Sequence, residues 1–185
     1  MSGGETARKN YEMAQLEIQE HLHLRDNVFL VYLGAIGTIF GVALGTNADT
    51  KILLVIPYLA LGSSVIVSQH NALIGAVENF IVSELEPFLK KIGEHAPLWN
   101  SSKSNRKYSL KGIWMRTFGH ILIVLIPPIA ALGFSWQFGF YSQFPENPLW
   151  WFGVLSTVVS AYFILDTHNW RNKLVENLNN NAKKH

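Results

Sequence analysis

Four long stretches of this chain carry no Lys, Arg, Asp or Glu: residues 27–48, 52–77, 117–145 and 147–165. A helix needs roughly 20 apolar residues to cross a hydrocarbon core of about 30 Å. The best spans within these stretches are 28–45, 52–68, 117–134 and 149–165. Each is close to the minimum length, so small tilts and interfacial flanks complete the crossing. Buried helices of a soluble protein are the alternative reading. Four of them in 185 residues leave too little polar sequence to wrap them. A chain that is 49% hydrophobic and only 15% charged, with a mean hydropathy of +0.15, agrees with the membrane reading. The predicted fold class is an all-α, four-helix integral membrane protein with amphipathic helical extensions in the cytoplasm.

The connections differ sharply in basic residues. Arg8, Lys9 and Arg25 precede the first span, seven Lys or Arg lie between the second and third, and four follow the last. The other two turns share only Lys51. The positive-inside rule then predicts cytoplasmic termini and a cytoplasmic central loop. Trp136, Phe138, Phe140, Tyr141, Phe144, Trp150, Trp151 and Phe152 crowd around the opposite turn, as an aromatic belt at headgroup level would. The first span follows 27 mostly polar residues with five acids, unlike a cleaved signal peptide.

The chain divides accordingly. Residues 1–27 are expected as a cytoplasmic helix, 28–69 and 117–166 as two transmembrane hairpins, 70–116 as a cytoplasmic helix and basic loop, and 167–185 as a tail. Tyr11, Ala14, Ile18 and Leu22 recur at helical spacing, as do Ile74, Val77, Ile81, Leu85, Phe88 and Ile92. Pro87 predicts a break or kink near Glu86, Ala96-Pro97 marks a further boundary, and residues 100–107 read as a polar loop.

Four features carry physics. Gly37, Gly41 and Gly45 share one helix face and let another backbone approach closely. Ala60, Ser64 and Ser68 in the second span and Gly153, Thr157 and Ala161 in the fourth repeat the pattern. Such faces serve either packing within one bundle or joining of subunits, and three of them point to a homo-oligomer. Second, no span has a charged residue at its centre. Ion-coupled transport usually needs one, so a passive pathway is the transport option left. Third, Pro127-Pro128 in mid-span predicts a kink, readable as a static bend or as a gate or hinge. Fourth, Lys103, Arg106, Lys107, Lys111 and Arg116 fall in a segment with no acid between Glu94 and Glu146. Anionic lipid headgroups or the phosphates of a nucleotide or nucleic acid would both be attracted there.

Catalytic and metal signals are weak. There is no cysteine, no nucleophile elbow, no phosphate-binding glycine loop and no paired carboxylates. His21-x-His23 points its rings to different helix faces. No catalytic residue, metal or cofactor is expected, and the chain reads as a non-enzyme.

Several pieces of the first 100 residues resemble small bacterial membrane effectors of antiphage defence. They are Arg25-Asp26 with Leu33-Gly34, Gly37-Thr38-x2-Gly41, His70-Asn71, Ile74-Gly75, Phe80-Ile81, Glu84-Leu85-Glu86-Pro87, Leu89 and Trp99. The plan is similar to the membrane effector of Hailong-type systems and, more loosely, to SLATT-type effectors. That resemblance implies an oligomeric ion-conducting effector that depolarises the infected cell, controlled by a nucleotide or short nucleic-acid signal from a partner nucleotidyltransferase. A non-conducting scaffold that recruits a soluble cytoplasmic partner is the alternative.

Overall fold

The computed structural model describes residues 3–45, 49–93 and 103–182; the side chains of 103–114, 116, 175 and 177–182 lie outside the described set. Helix α1 spans Gly3–Ala43. A short 3₁₀ turn, Thr50–Val55, leads into α2, Ile56–Phe80. A π-helical turn at Ile81–Leu85 joins α2 to α3, Glu86–Lys91. Helices α4, Lys103–Gln137, and α5, Glu146–Ala182, complete the chain. No strand occurs among the described residues. Four helical stretches are long and apolar enough to cross a membrane: Gly3–Ala43, Thr50–Lys91, Thr117–Gln137 and Glu146–Leu174. The protein is therefore all-α and a membrane protein by the length and composition of its helices.

Local chemistry explains the boundaries. The Asp49 side chain accepts a hydrogen bond from the Lys51 amide at 3.1 Å and caps the 3₁₀ turn. Pro57 falls in the first turn of α2, where a missing N–H costs nothing. Helix α4 ends at a tight turn in which Gly139 takes φ +73, a conformation that side chains rarely adopt.

Two expectations change here. Pro87 does not end the helix. The turn before it widens instead, with the Glu86 amide donating to the Ile81 carbonyl, and Pro87 falls in the first turn of α3. A donor is not needed at that position, so the chain stays helical past the proline. The segment from Lys103 is also helical and not a loop. Lys, Arg and Leu are good helix formers and no proline precedes Pro127 in this segment, so the third span's helix extends back through the basic residues. The boundary expected at Ala96-Pro97 lies outside the described residues.

The chain forms two compact units. One comprises residues 1–24, 69–116 and 167–185, the other 25–68 and 117–166. The core of the second unit is a cluster of Phe29, Tyr32, Ile36, Ile39 and Ala43 with Ile56, Ala60, Val67, Val124, Ala131 and Ile164. A smaller cluster of Leu54, Leu132, Phe140 and Trp150 packs near the 137–146 turn. There Trp136 stacks on Tyr141 with ring centroids 4.2 Å apart, while Phe144, Trp151 and Phe152 remain exposed. Part of the expected aromatic belt is thus packed against the protein and part points outward.

The first unit has its own core. Ala14 and Ile18 of α1 meet Ile74, Ile81 and Leu85, with Tyr11, Leu22 and Val77 at the edge. Trp170 lies directly on Gly75, where an added Cβ would stand 2.6 Å from the indole. Between the same two helices, Arg171 pairs with Glu78 at 3.0 Å.

Candidate functional site

The segment of α1 within the second unit presents two contrasting faces. Phe29, Tyr32, Ile36, Ile39 and Ala43 are buried in the core. Gly34, Gly37 and Gly41 are exposed, and a Cβ built on any of them meets nothing within 4 Å. Gly45 is exposed too, with only the carbonyls of its own last turn nearby. Large apolar side chains flank this strip, among them Leu30, Leu33 and Leu44. In a bilayer such residues face lipid or another helix. The glycines between them leave a shallow channel along the helix that a second backbone fits.

The other small-residue faces are used inside the unit. Ala60, Ser64 and Ser68 are buried, and the Ser68 hydroxyl donates to the Phe163 carbonyl at 3.1 Å. A Cβ on Gly153 would stand 3.2 Å from Leu132 and 3.3 Å from Pro57, so this glycine lets α5 approach the start of α2. Of the three stripes, two are occupied by neighbouring helices and the α1 stripe is open.

Tyr32 joins that helix to the proline pair. In an α-helix residue i donates to the carbonyl of residue i−4, so Pro128 leaves the Val124 carbonyl without its donor. The Tyr32 hydroxyl donates to this carbonyl at 3.0 Å, from 92 residues away in sequence. Both partners are buried: Tyr32 is 3% exposed, and Val124 and Pro128 are fully enclosed. An unpaired carbonyl in an apolar interior is costly, so the phenol is what makes Pro128 tolerable at this depth. The expected kink residues are therefore tied to α1 by a specific bond.

The expected anionic-ligand residues, Lys103, Arg106, Lys107, Lys111 and Arg116, lie on the backbone of α4, and their side chains lie outside the described residues. The first unit also brings together polar groups whose meeting the sequence did not show. The His21 and His70 Nδ1 atoms are 3.1 Å apart, with ring centroids at 5.3 Å. The nitrogens thus face each other nearly along the line of centres, the geometry of an N–H···N hydrogen bond in which one ring donates and the other accepts. His21 Nε2 stands 3.9 Å from a Glu17 oxygen. Glu86 is 1% exposed and its Oε1 has no hydrogen-bond partner. The Tyr11 phenol is pushed up by burial and by the neighbouring Glu86 charge. No group of three or more His, Cys, Asp or Glu that could hold a metal occurs among the described residues. His120, in the second unit, lies against Phe29 at a centroid distance of 4.9 Å.

Sequence reasoning missed Tyr32 and the pairing of His21 with His70. The signal for Tyr32 was present in outline: a phenol inside an apolar span needs an acceptor, and a Pro-Pro pair in another span supplies spare ones. The contact between His21 and His70 carried no comparable signal.

No family model, no curated protein and no solved structure matches this chain. Fold and site define a class: an all-α membrane protein with four helices long and apolar enough to span the bilayer.

Proposed function

We propose that the protein is an oligomeric membrane channel, gated on its cytoplasmic side by a nucleotide or short oligonucleotide, that depolarises the bacterial inner membrane in antiphage defence. The observation that carries this reading is the open glycine face of α1, where Gly37 and Gly41 have empty space around them. Identical helices from further copies would pack there, backbone to backbone. The charge-free centres of the spans favour a passive route over coupled transport. A kink at Pro127-Pro128 would serve as the gate, and the basic segment 103–116 would attract the phosphates of the signal. A partner nucleotidyltransferase would make that signal.

The test is ion flux in liposomes. Vesicles containing the protein should leak on addition of an activating nucleotide or oligonucleotide. Gly37→Leu and Gly41→Leu should abolish both the leak and the crosslinked oligomers seen in detergent. Vesicles that stay tight under every nucleotide and oligonucleotide added, or a crosslinked wild-type protein that runs as a monomer, would refute the channel. A second reading is a non-conducting scaffold, favoured by Met13 and Leu16, which are 59% and 64% exposed on the helix preceding the first span. Overexpression separates the two: depolarisation belongs to the channel, and capture of a soluble partner at unchanged membrane potential belongs to the scaffold.

A further inference from the structure

The second unit has a groove of about 480 Å³ between α4 and α5, lined by Ile129, Leu132, Gly133, Trp150, Val154 and Val158 among others. It runs from Ile129 to Gln137 on one helix and from Val158 to Trp150 on the other. At 1.5 Å per residue, eight residues make it about 12 Å long. One leaflet contributes about 15 Å of a roughly 30 Å hydrocarbon core. The groove therefore runs from the aromatic end of the bundle toward the bilayer middle, over nearly the depth of one leaflet.

Its polar groups select the occupant. The Trp150 Nε1 donates to the Leu132 carbonyl at 3.3 Å, and the Thr157 hydroxyl to the Gly153 carbonyl at 2.9 Å. Both groups along its length are thus satisfied by the protein, so a polar ligand would find no partner there and would lose its own hydration. Only the rim at Gln137 and Trp136 offers donors, at the level where headgroups sit. The surrounding face is apolar and open: Ile129 is 58% and Val158 60% exposed. At this depth the solvent is hydrocarbon, and an apolar groove about 12 Å long suits a stretch of acyl chain.

We propose that this groove holds one acyl chain of a membrane phospholipid as a retained, site-bound lipid. Recognition lies in the tail. The only basic residue in either turn at this end is Lys51, which is already paired with Glu146. Headgroup charge should consequently make little difference.

The experiment uses the full-length protein in detergent and in nanodiscs, independently of any conductance. A phospholipid with a photoreactive acyl chain is crosslinked, and the labelled residues are mapped by mass spectrometry. Labelling should concentrate on the α4 and α5 groove residues, equally for a zwitterionic and an anionic headgroup, with one lipid kept per chain through delipidation. Gly133→Leu adds bulk to the groove lining, and a Cβ built there meets nothing within 4 Å, so the substitution creates no clash at that atom. It should lower retention about tenfold, which requires losing only roughly 55 Å² of apolar contact at about 25 cal/mol per Å². Even labelling along all lipid-facing helices, or unchanged retention in Gly133→Leu, would overturn the proposal. So would a second copy in the groove. The chain has no native cysteine, so a disulfide-linked dimer of Val158→Cys would reveal that outcome directly.

Discussion

Removing the Tyr32 hydroxyl takes away one hydrogen bond while leaving the ring in the core. In Tyr32→Phe the Val124 carbonyl, already without its helical donor because of Pro128, loses its remaining partner. Interhelical hydrogen bonds in membrane bundles are worth about 0.6 kcal/mol on average and reach about 1.7. The upper part of that range is expected here, because both partners are buried and the carbonyl has no alternative donor in its own helix. Pro128→Ala provides the control. The substitution returns the N–H that Val124 lacks, so the Tyr32 hydroxyl becomes redundant in that background. Unfolding by detergent titration in mixed micelles, followed by tryptophan fluorescence, gives the four corners of the cycle. Tyr32→Phe should cost about 1–1.7 kcal/mol with Pro128 present and close to nothing in the Pro128→Ala background. Equal costs in both backgrounds, within the roughly 0.3–0.5 kcal/mol of ordinary additivity, would refute the link between phenol and proline. Under the channel reading the same bond bears on gating. If it is made only in the closed state, its loss raises basal leak about five- to eighteen-fold.

Two further predictions concern other parts of the fold. Gly75→Ala should destabilise the first unit by about 1–3 kcal/mol, since the new methyl would stand 2.6 Å from the Trp170 indole. Gly75→Ala combined with Trp170→Leu should recover most of the loss in thermal unfolding, and an unchanged Tm for the single variant would refute the contact. The Lys51–Glu146 pair, in the turns outside the spans, predicts a pH profile. Its hydrogen bond and charge hold the Glu146 carboxyl below its ordinary 4.5 and the Lys51 ammonium above 10.5. A lowered acid contributes fully above its unfolded value and fades as pH falls through the folded one; a raised base contributes fully below its unfolded value and fades at higher pH. The pair is thus complete between 4.5 and 10.5, and Lys51→Met should flatten the acid limb of stability as pH falls below 4.5. An identical acid limb in the variant would show that the pair contributes nothing.

The sequence was most informative where a property is local and repeated. Runs without charge mark the four spans because a bilayer tolerates nothing else over that length. The rhythm of Ala14 and Ile18 on one segment and of Ile74, Ile81 and Leu85 on another marks two apolar stripes, and these stripes meet each other. Periodicity names a face but not its partner. It could not say that the stripes pair, nor that Ala60, Ser64 and Ser68 face inward while Gly37 and Gly41 face outward. Glycine and serine satisfy the same small-residue rule on either side. Pro87 misled for a different reason. A proline forbids one hydrogen bond, and the chain stays helical past it through a single widened turn, a solution that composition does not signal. The link from Tyr32 to Val124 joins residues whose spacing in sequence carries no information about their meeting.

The serines and threonines of the second unit have a consequence for electricity. Ser64, Ser135, Thr157 and Ser160 each donate to a carbonyl in their own helix, and Ser68 donates to a carbonyl of α5. These hydroxyls are thereby committed, and the helices meet through packed hydrocarbon around them. Water that entered this seam would find few partners and would leave again. Under the channel reading, this low-dielectric seam within one copy is a poor path for an ion. A conducting path would have to be assembled at the boundary between copies, along the surface where α1 has left its glycines bare.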